Sequence, residues 1–416
     1  DVLRWAPKPK PMDQFISDLT QYTRRLNERN APFGGVTLCY SADGVVGGDV
    51  LRWDARLLLR FENFATALRS FDDRWSSSPE DGEAEGSDDA LDHAEGWWLS
   101  KIELNADLRN ILTPVLLRSN LRTLILDRNE FGPGCGLEFL SGVVERNPSL
   151  KRLSFHNNPL EEVTGMRRFC VALGEHPSLE HLSLENNAGL GDDAHKLSML
   201  MDACRNLQCF GLTQNHVGSR DAAAVVIEYL ANTNAKIVYL RENNFGNDAA
   251  DLFASALRKN CTLAVADLSG NRFTRSGRLK ILNALFNPSS LDAAMASNHA
   301  TVVYIDECML KDRLGVINFK GTPKENRRRK VISTLYATSA VGRLGKLLAD
   351  VPLGVMPDLL ARLQSFDVDD VPGGVRRHAA ESLRESESDD LEEAFSRRNA
   401  LTIVFQTLRG WNLLSS

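Results

Sequence analysis

The sequence predicts an α/β solenoid: parallel strands line the inside of a curve, helices stack outside it, an N-terminal cap precedes it and a C-terminal helical domain follows. Three observations predict this. A nine-residue pattern, apolar-x-x-apolar-x-apolar-x-x-Asn, closes on Asn129, Asn158, Asn187, Asn215, Asn243 and Asn271, a spacing of 28 or 29 residues. The text between copies carries apolar residues at helical spacing, as in Leu252, Phe253, Ala256 and Leu257. The composition, 43% hydrophobic and 25% charged over 416 residues, is that of a globular chain too long for one small core.

The copies read LRTLILDRN (121–129), LKRLSFHNN (150–158), LEHLSLENN (179–187), LQCFGLTQN (207–215), AKIVYLREN (235–243) and LAVADLSGN (263–271). A degraded copy, LDAAMASNH (291–299), closes on His299, and an earlier one, LSKIELNAD (99–107), closes on Asp107. Alternate strand side chains point to opposite faces, so positions 1, 4 and 6 turn inward and positions 3, 5, 7 and 8 face out. The closing Asn is placed to satisfy backbone groups where the chain leaves the strand. Helices follow, with Asp221, Asp248 and Asp193 expected as N-caps. A strand and a helix alone cannot bury their apolar faces, and stacking neighbours does so.

This consensus and period resemble leucine-rich repeats of the ribonuclease-inhibitor-like type over roughly 99–299. The resemblance implies a horseshoe and a role in recognition, and it implies no reaction. The flanks, through ASNH, VPLGVMPDLLARLQ and LRGWNL, resemble microalgal leucine-rich-repeat proteins with a helical C-terminal extension. That second resemblance brings no activity with it.

Four segments follow from these readings. Residues 1–75 form an N-terminal capping region with a helix near 54–70, covering the open end of the first repeat. Residues 76–96 hold eight acidic residues and no Lys or Arg, the composition of a flexible surface insertion. The solenoid occupies 97–307. From 308 to 416 apolar stripes broken by Pro323, Pro352, Pro357 and Pro372 predict a helical domain.

Chemistry is sparse. Seven scattered cysteines without a CxxC pair read as reduced structural thiols. No HExxH, GxSxG or phosphate-cradling loop is present, so the expectation is a non-enzyme without cofactor or metal. No apolar run reaches eighteen residues, so no membrane span is expected. The setting expected is intracellular, with cytoplasm, nucleus and organelle not distinguished; the chain opens without Met, and a removed leader would leave no trace.

The outward columns are the candidate site. Position 7 reads Asp127, His156, Glu185, Thr213, Arg241 and Ser269; position 5 is small at Ser154, Ser183 and Gly211 and large at Tyr239; position 3 includes Arg152 and His181. Neighbouring strands place His156 beside Glu185 and Arg152 beside His181. Asp127, Arg152, His156, His181, Glu185, Tyr239 and Arg241 are therefore the expected partner-binding residues of a scaffold, an adaptor or a subunit of a larger assembly. A small-GTPase activator is the alternative by fold analogy alone. A third reading is an RNA-associated subunit through the basic run KGTPKENRRRK, with Lys320, Arg327, Arg328, Arg329 and Lys330 as phosphate contacts.

Overall fold

Strand and helix alternate along the chain because the apolar spacing alternates between periods of two and of about 3.6 residues. The computed structural model describes residues 17, 19–21, 23, 24, 36–39, 62, 63, 66, 96–116, 121–131, 136–158, 163–187, 190, 191, 193–305, 318 and 322–340. The chain divides into two compact units, Asp1–Val217 and Gly218–Ser416. The division falls inside the repeat array rather than at either end of it.

In the first unit the elements run β1 (Val36–Cys39), β2 (Gly96–Ser100), β3 (Glu103–Leu104), α1 (Ala106–Leu116), β4 (Thr123–Asp127), β5 (Glu130–Phe131), α2 (Gly136–Arg146), β6 (Arg152–His156), α3 (Val163–Glu175), β7 (His181–Glu185), α4 (Ala194–Ala203) and β8 (Cys209–Gly211). Strands β1, β2, β4, β6, β7 and β8 pair in that order, all parallel. The sheet thus extends through β1 one strand beyond the legible repeat, into the region expected to cap it. In the second unit follow α5 (Arg220–Asn232), β9 (Ile237–Tyr239), α6 (Asn247–Lys259), β10 (Val265–Asp267), α7 (Arg275–Leu285), α8 (Leu291–Met295), β11 (Val302–Tyr304) and α9 (Pro323–Ala340). Strands β9, β10 and β11 are again parallel neighbours.

Positions 4 and 6 form the core as the pattern requires. Leu124, Leu126, Leu153, Phe155, Leu182, Leu184, Phe210, Leu212, Val238, Leu240, Ala266 and Leu268 are each at most 1% exposed. Each buried Leu or Phe stabilises the stack by about 1.5–3 kcal/mol.

The closing asparagines form a ladder. Asn129 Nδ2 donates to Leu99 O and its Oδ1 accepts the Ile102 N–H, each at 3.0 Å. Asn158 repeats this one strand on, to Leu126 O at 3.0 Å and from Asn129 N at 2.7 Å, as do Asn187 and Asn215. Position 8 has its own backbone rule: Arg128, Asn157, Asn186, Gln214, Glu242 and Gly270 all have φ between 48° and 69°. The chain leaves each strand through one left-handed residue, so the closing amide turns back under its neighbour.

Two copies of the pattern are misframed in the sequence reading. Leu99 pairs with Leu126, which makes Lys101 (φ 57°) the left-handed residue and Ile102 the closing position. Asp107 instead lies in the first turn of α1. The false match arose because Ile102 and Leu104, both buried just after β2, stand three and five residues beyond Leu99 and so imitate positions 4 and 6. At the other end, 291–299 is no strand: Leu291–Met295 is helix α8, capped by the Ser290 hydroxyl accepting the Ala293 N–H at 3.0 Å. The strand is Val302–Tyr304, so His299 is not a closing residue.

Asn298 belongs to a second, helix-to-strand set. Its Nδ2 donates to Leu257 O and Asn260 O, and its Oδ1 accepts the Ala300 and Thr301 N–H groups. Asn260 does the same toward Leu230, Thr233, Thr262 and Leu263. His176 substitutes for Asn in the first unit: Nδ1 accepts from Leu179 N at 2.9 Å, which leaves Nε2 to donate to Asn147 O at 2.9 Å.

Helix starts also differ in detail. Asp193 caps α4 as expected, accepting from His195 N and Lys196 N. Asp221 and Asp248 lie two residues too far in; Ser219 and Gly246 are the caps, and the aspartates face the dipole from the first turn. Helix α9 opens with a reciprocal box, in which Thr322 N donates to Glu325 Oε2 at 2.7 Å and Glu325 N donates to Thr322 Oγ1 at 3.3 Å. The acidic insertion over 76–95, most of the expected 54–70 helix and the C-terminal helical text from 341 lie outside the described residues.

Candidate functional site

The outward face of each unit is set by strand register, because period-two alternation sends position 3, 5 and 7 side chains to the side opposite the core. In the first unit Arg152 pairs with His181 and His156 with Glu185, as expected from the spacing. Arg152 is exposed, while His181 and Glu185 are half-buried. The His181 ring lies 4.0 Å from the Glu180 carboxylate.

His156 departs from the expectation of a solvated contact residue. It is buried, 7% exposed, and its Nε2 sits 3.0 Å from Ser183 Oγ, a position 5 residue of the next strand. Burial holds its pKa below the usual imidazole value, against the opposing pull of the Asp127 carboxylate. Ser154 and Gly211 are also buried, so the floor of this face is closed rather than open. A substituent on Gly211 would stand 3.3 Å from Ser183 Oγ, which explains why the column is small there.

Asp127 is engaged on both oxygens, by Ser100 Oγ at 3.1 Å and Asn157 Nδ2 at 2.8 Å. Asn186 Nδ2 continues the series to Asn157 Oδ1 at 2.8 Å. Position 8 thus forms a polar rail that the reading of single columns missed; the doubled Asn of HNN and ENN was its signal.

In the second unit the correct frame of β11 changes the site. Asp267 pairs with Tyr239 on one side and with Tyr304 on the other. Column 5 is therefore Tyr239, Asp267, Tyr304, with Tyr239 38% exposed and the other two half-buried. Column 3 beside it is Ile237, Val265 and Val302, all half-buried. Asp267 Oδ1 is held by Ser269 N at 3.0 Å and Ser269 Oγ at 2.6 Å, which fixes the carboxylate. Arg241 turns to its neighbour, with Nε 2.7 Å from Glu242 Oε1. Tyr304 was invisible in the sequence because the degraded copy at 291–299 occupied its place in the count.

The basic run does not act as one surface. Arg327 and Arg328 are exposed, but Lys330 is 0% exposed, with Nζ donating to Leu285 O at 2.5 Å and Asn298 O at 2.6 Å. Burial pushes its amine down to about 7. Lys330 is thus no phosphate contact: it ties α9 to the C-terminus of α7, where unpaired carbonyls attract a donor. Asn326, Ser333 and Thr334 are buried on the same helix, so α9 seats by a polar face. Arg329 is half-buried, with Nη1 3.5 Å from Asn326 Oδ1, and Lys320 lies outside the described residues.

Among the described residues no group of three or more His, Cys, Asp and Glu side chains could hold a metal ion. Burial raises the Cys170 thiol to about 12 and raises Cys204 as well, which keeps both protonated. Among the described residues no helix is long and apolar enough to cross a membrane.

No family model matches the chain. No curated protein matches it either. A solved structure of a structural-genomics target from Bacteroides fragilis is similar at 14% identity, covering 47% of this chain and 64% of that one, with a TM-score of 0.32. The match spans less than two thirds of that protein, and at this score it carries no argument about fold or function. The residues themselves describe an α/β repeat architecture of parallel strands and helices, with a polar outward face on the first unit and an aliphatic row beside a polar and aromatic one on the second.

Proposed function

We propose that the chain is a non-enzymatic protein-interaction scaffold built of leucine-rich repeats of the ribonuclease-inhibitor-like type, binding its partner through outward strand faces. One observation carries the reading: the Tyr239–Asp267–Tyr304 column, where two tyrosines and a fixed carboxylate stand on a rigid frame beside an apolar row. Tyr and Arg concentrate binding energy at protein interfaces, because they combine large contact area with a polar tip. The core is supplied by the inward residues and the asparagine ladder, and the column stands on the opposite side, with Tyr239 38% exposed.

The test begins with a pull-down and mass spectrometry to identify the partner, followed by affinity measurements on purified proteins. Replacing Tyr239 and Arg241 together by Ala weakens binding by more than about 1 kcal/mol. Replacing Lys259 on the outer face of α6 leaves it unchanged. Equal affinity of the double variant and the wild type removes this face from the interface.

A further inference from the structure

The second unit's outward face has a specific chemical character. Column 3 is aliphatic throughout, Ile237, Val265 and Val302, and column 5 alternates aromatic, acidic, aromatic. Adjacent strands lie about 4.8 Å apart, so the two tyrosines flank Asp267 with their Cα atoms separated by about 9.5 Å. That separation is wide enough for a flat or compact cation to enter between the two tyrosines, over the strand that carries Asp267. Arg241 does not oppose such a ligand, because its guanidinium is paired with Glu242 at 2.7 Å. Within the column Asp267 is the charged residue, and the nearby Arg241 and Glu242 offset each other.

We infer that this face captures a cationic side chain, Arg or Lys, of a partner segment, with an aliphatic residue of the same segment lying on Ile237, Val265 and Val302. The inference rests on the scaffold reading above and names the partner's chemistry. Three effects combine on the captured group. Each tyrosine ring attracts the cation through its negative face. Asp267 supplies a charge-assisted hydrogen bond, and its orientation costs nothing at binding because Ser269 already holds it. The apolar row fixes the register of the neighbouring residue.

The experiment selects 12-residue peptides from a random library on the full chain and keeps those whose binding is lost in Tyr239→Ala/Tyr304→Ala. Among these, a central Arg or Lys is enriched, and replacing it by the neutral isostere citrulline or by norleucine weakens binding at least tenfold. Asp267→Asn keeps the acceptor for Ser269 and so keeps the fold; it reduces the Arg-over-citrulline preference to under threefold. Peptides lost in the tyrosine variant but indifferent to the cation overturn this inference and leave the scaffold reading standing. A library in which no binder depends on the two tyrosines overturns both. Protection of the β9, β10 and β11 amides from hydrogen exchange, equal in variant and wild type, confirms that lost binding is not lost folding.

Discussion

Replacing Asn158 by Ala tests the asparagine ladder directly. Asn158 is 1% exposed. Its Oδ1 accepts the Asn129 N–H at 2.7 Å, and its Nδ2 donates to Leu126 O at 3.0 Å and His156 O at 2.6 Å. Alanine withdraws all three bonds at once. His156 O keeps its bond from Arg128 N at 2.9 Å, so its loss is small. The Asn129 N–H loses its acceptor in a buried place, at a cost of about 1–3 kcal/mol, and Leu126 O loses one donor for about 1 kcal/mol more. The expected destabilisation is about 2–4 kcal/mol. Its neighbour Asn157 is the control, being a left-handed residue (φ 54°) whose side chain lies on the outward rail. Asn157→Gly keeps the backbone conformation and costs under about 1 kcal/mol. Urea unfolding followed by tryptophan fluorescence gives the total, and exchange of the β4 and β6 amides gives the local effect in a stack that opens segment by segment. A loss under about 1 kcal/mol for Asn158→Ala, or equal losses for both variants, refutes the ladder as the source of frame stability.

Two further predictions concern the second unit. Gly218→Ala places a methyl group 2.7 Å from Asn244 O, a backbone atom that cannot swing aside, and destabilises by about 1–3 kcal/mol in thermal melts; Gly246→Ala, with open space around it, meets no clash and costs only the preference of the α6 N-cap for Gly over Ala, under about 1 kcal/mol. For Lys330 the seated amine sits at about 7 against an ordinary value of 10.5, so α9 binds more protons when released than when seated. Its seat therefore strengthens as pH rises from 7 to 10.5 and is insensitive to this group below 7. Amide exchange of α9 at pH 7 and 9, corrected for intrinsic rates, reads the difference, and Lys330→Met abolishes it; protection that is equal at both pH values would falsify the account.

Much of the frame was written in the periodicity. Six copies from 121 to 271 were correctly phased because a strand's inward residues and its closing Asn must recur together. The first and last copies failed because neighbouring segments imitate the strand pattern: Ile102 and Leu104 between β2 and α1, and Leu291 and Ala294 in helix α8. Pairing distinguishes them, and pairing is not a property of one segment. The site was legible as a set of columns but not in its depth. His156 and Glu185 occupy equivalent positions in the pattern, yet one is buried against Ser183 and the other half-exposed, because the neighbouring strand's side chains decide how much water each meets.

Sequence alone determined that this chain stacks strand–helix units around a leucine core closed by asparagine, since those residues satisfy local needs wherever the repeat recurs. Only the tertiary structure decided which residues meet. It moved Tyr304 beside Asp267, because register depends on hydrogen bonding to a neighbouring strand. It buried Lys330 in what reads as a basic surface, because two backbone carbonyls at 2.5 and 2.6 Å offered its amine a better place than a charge count could foresee.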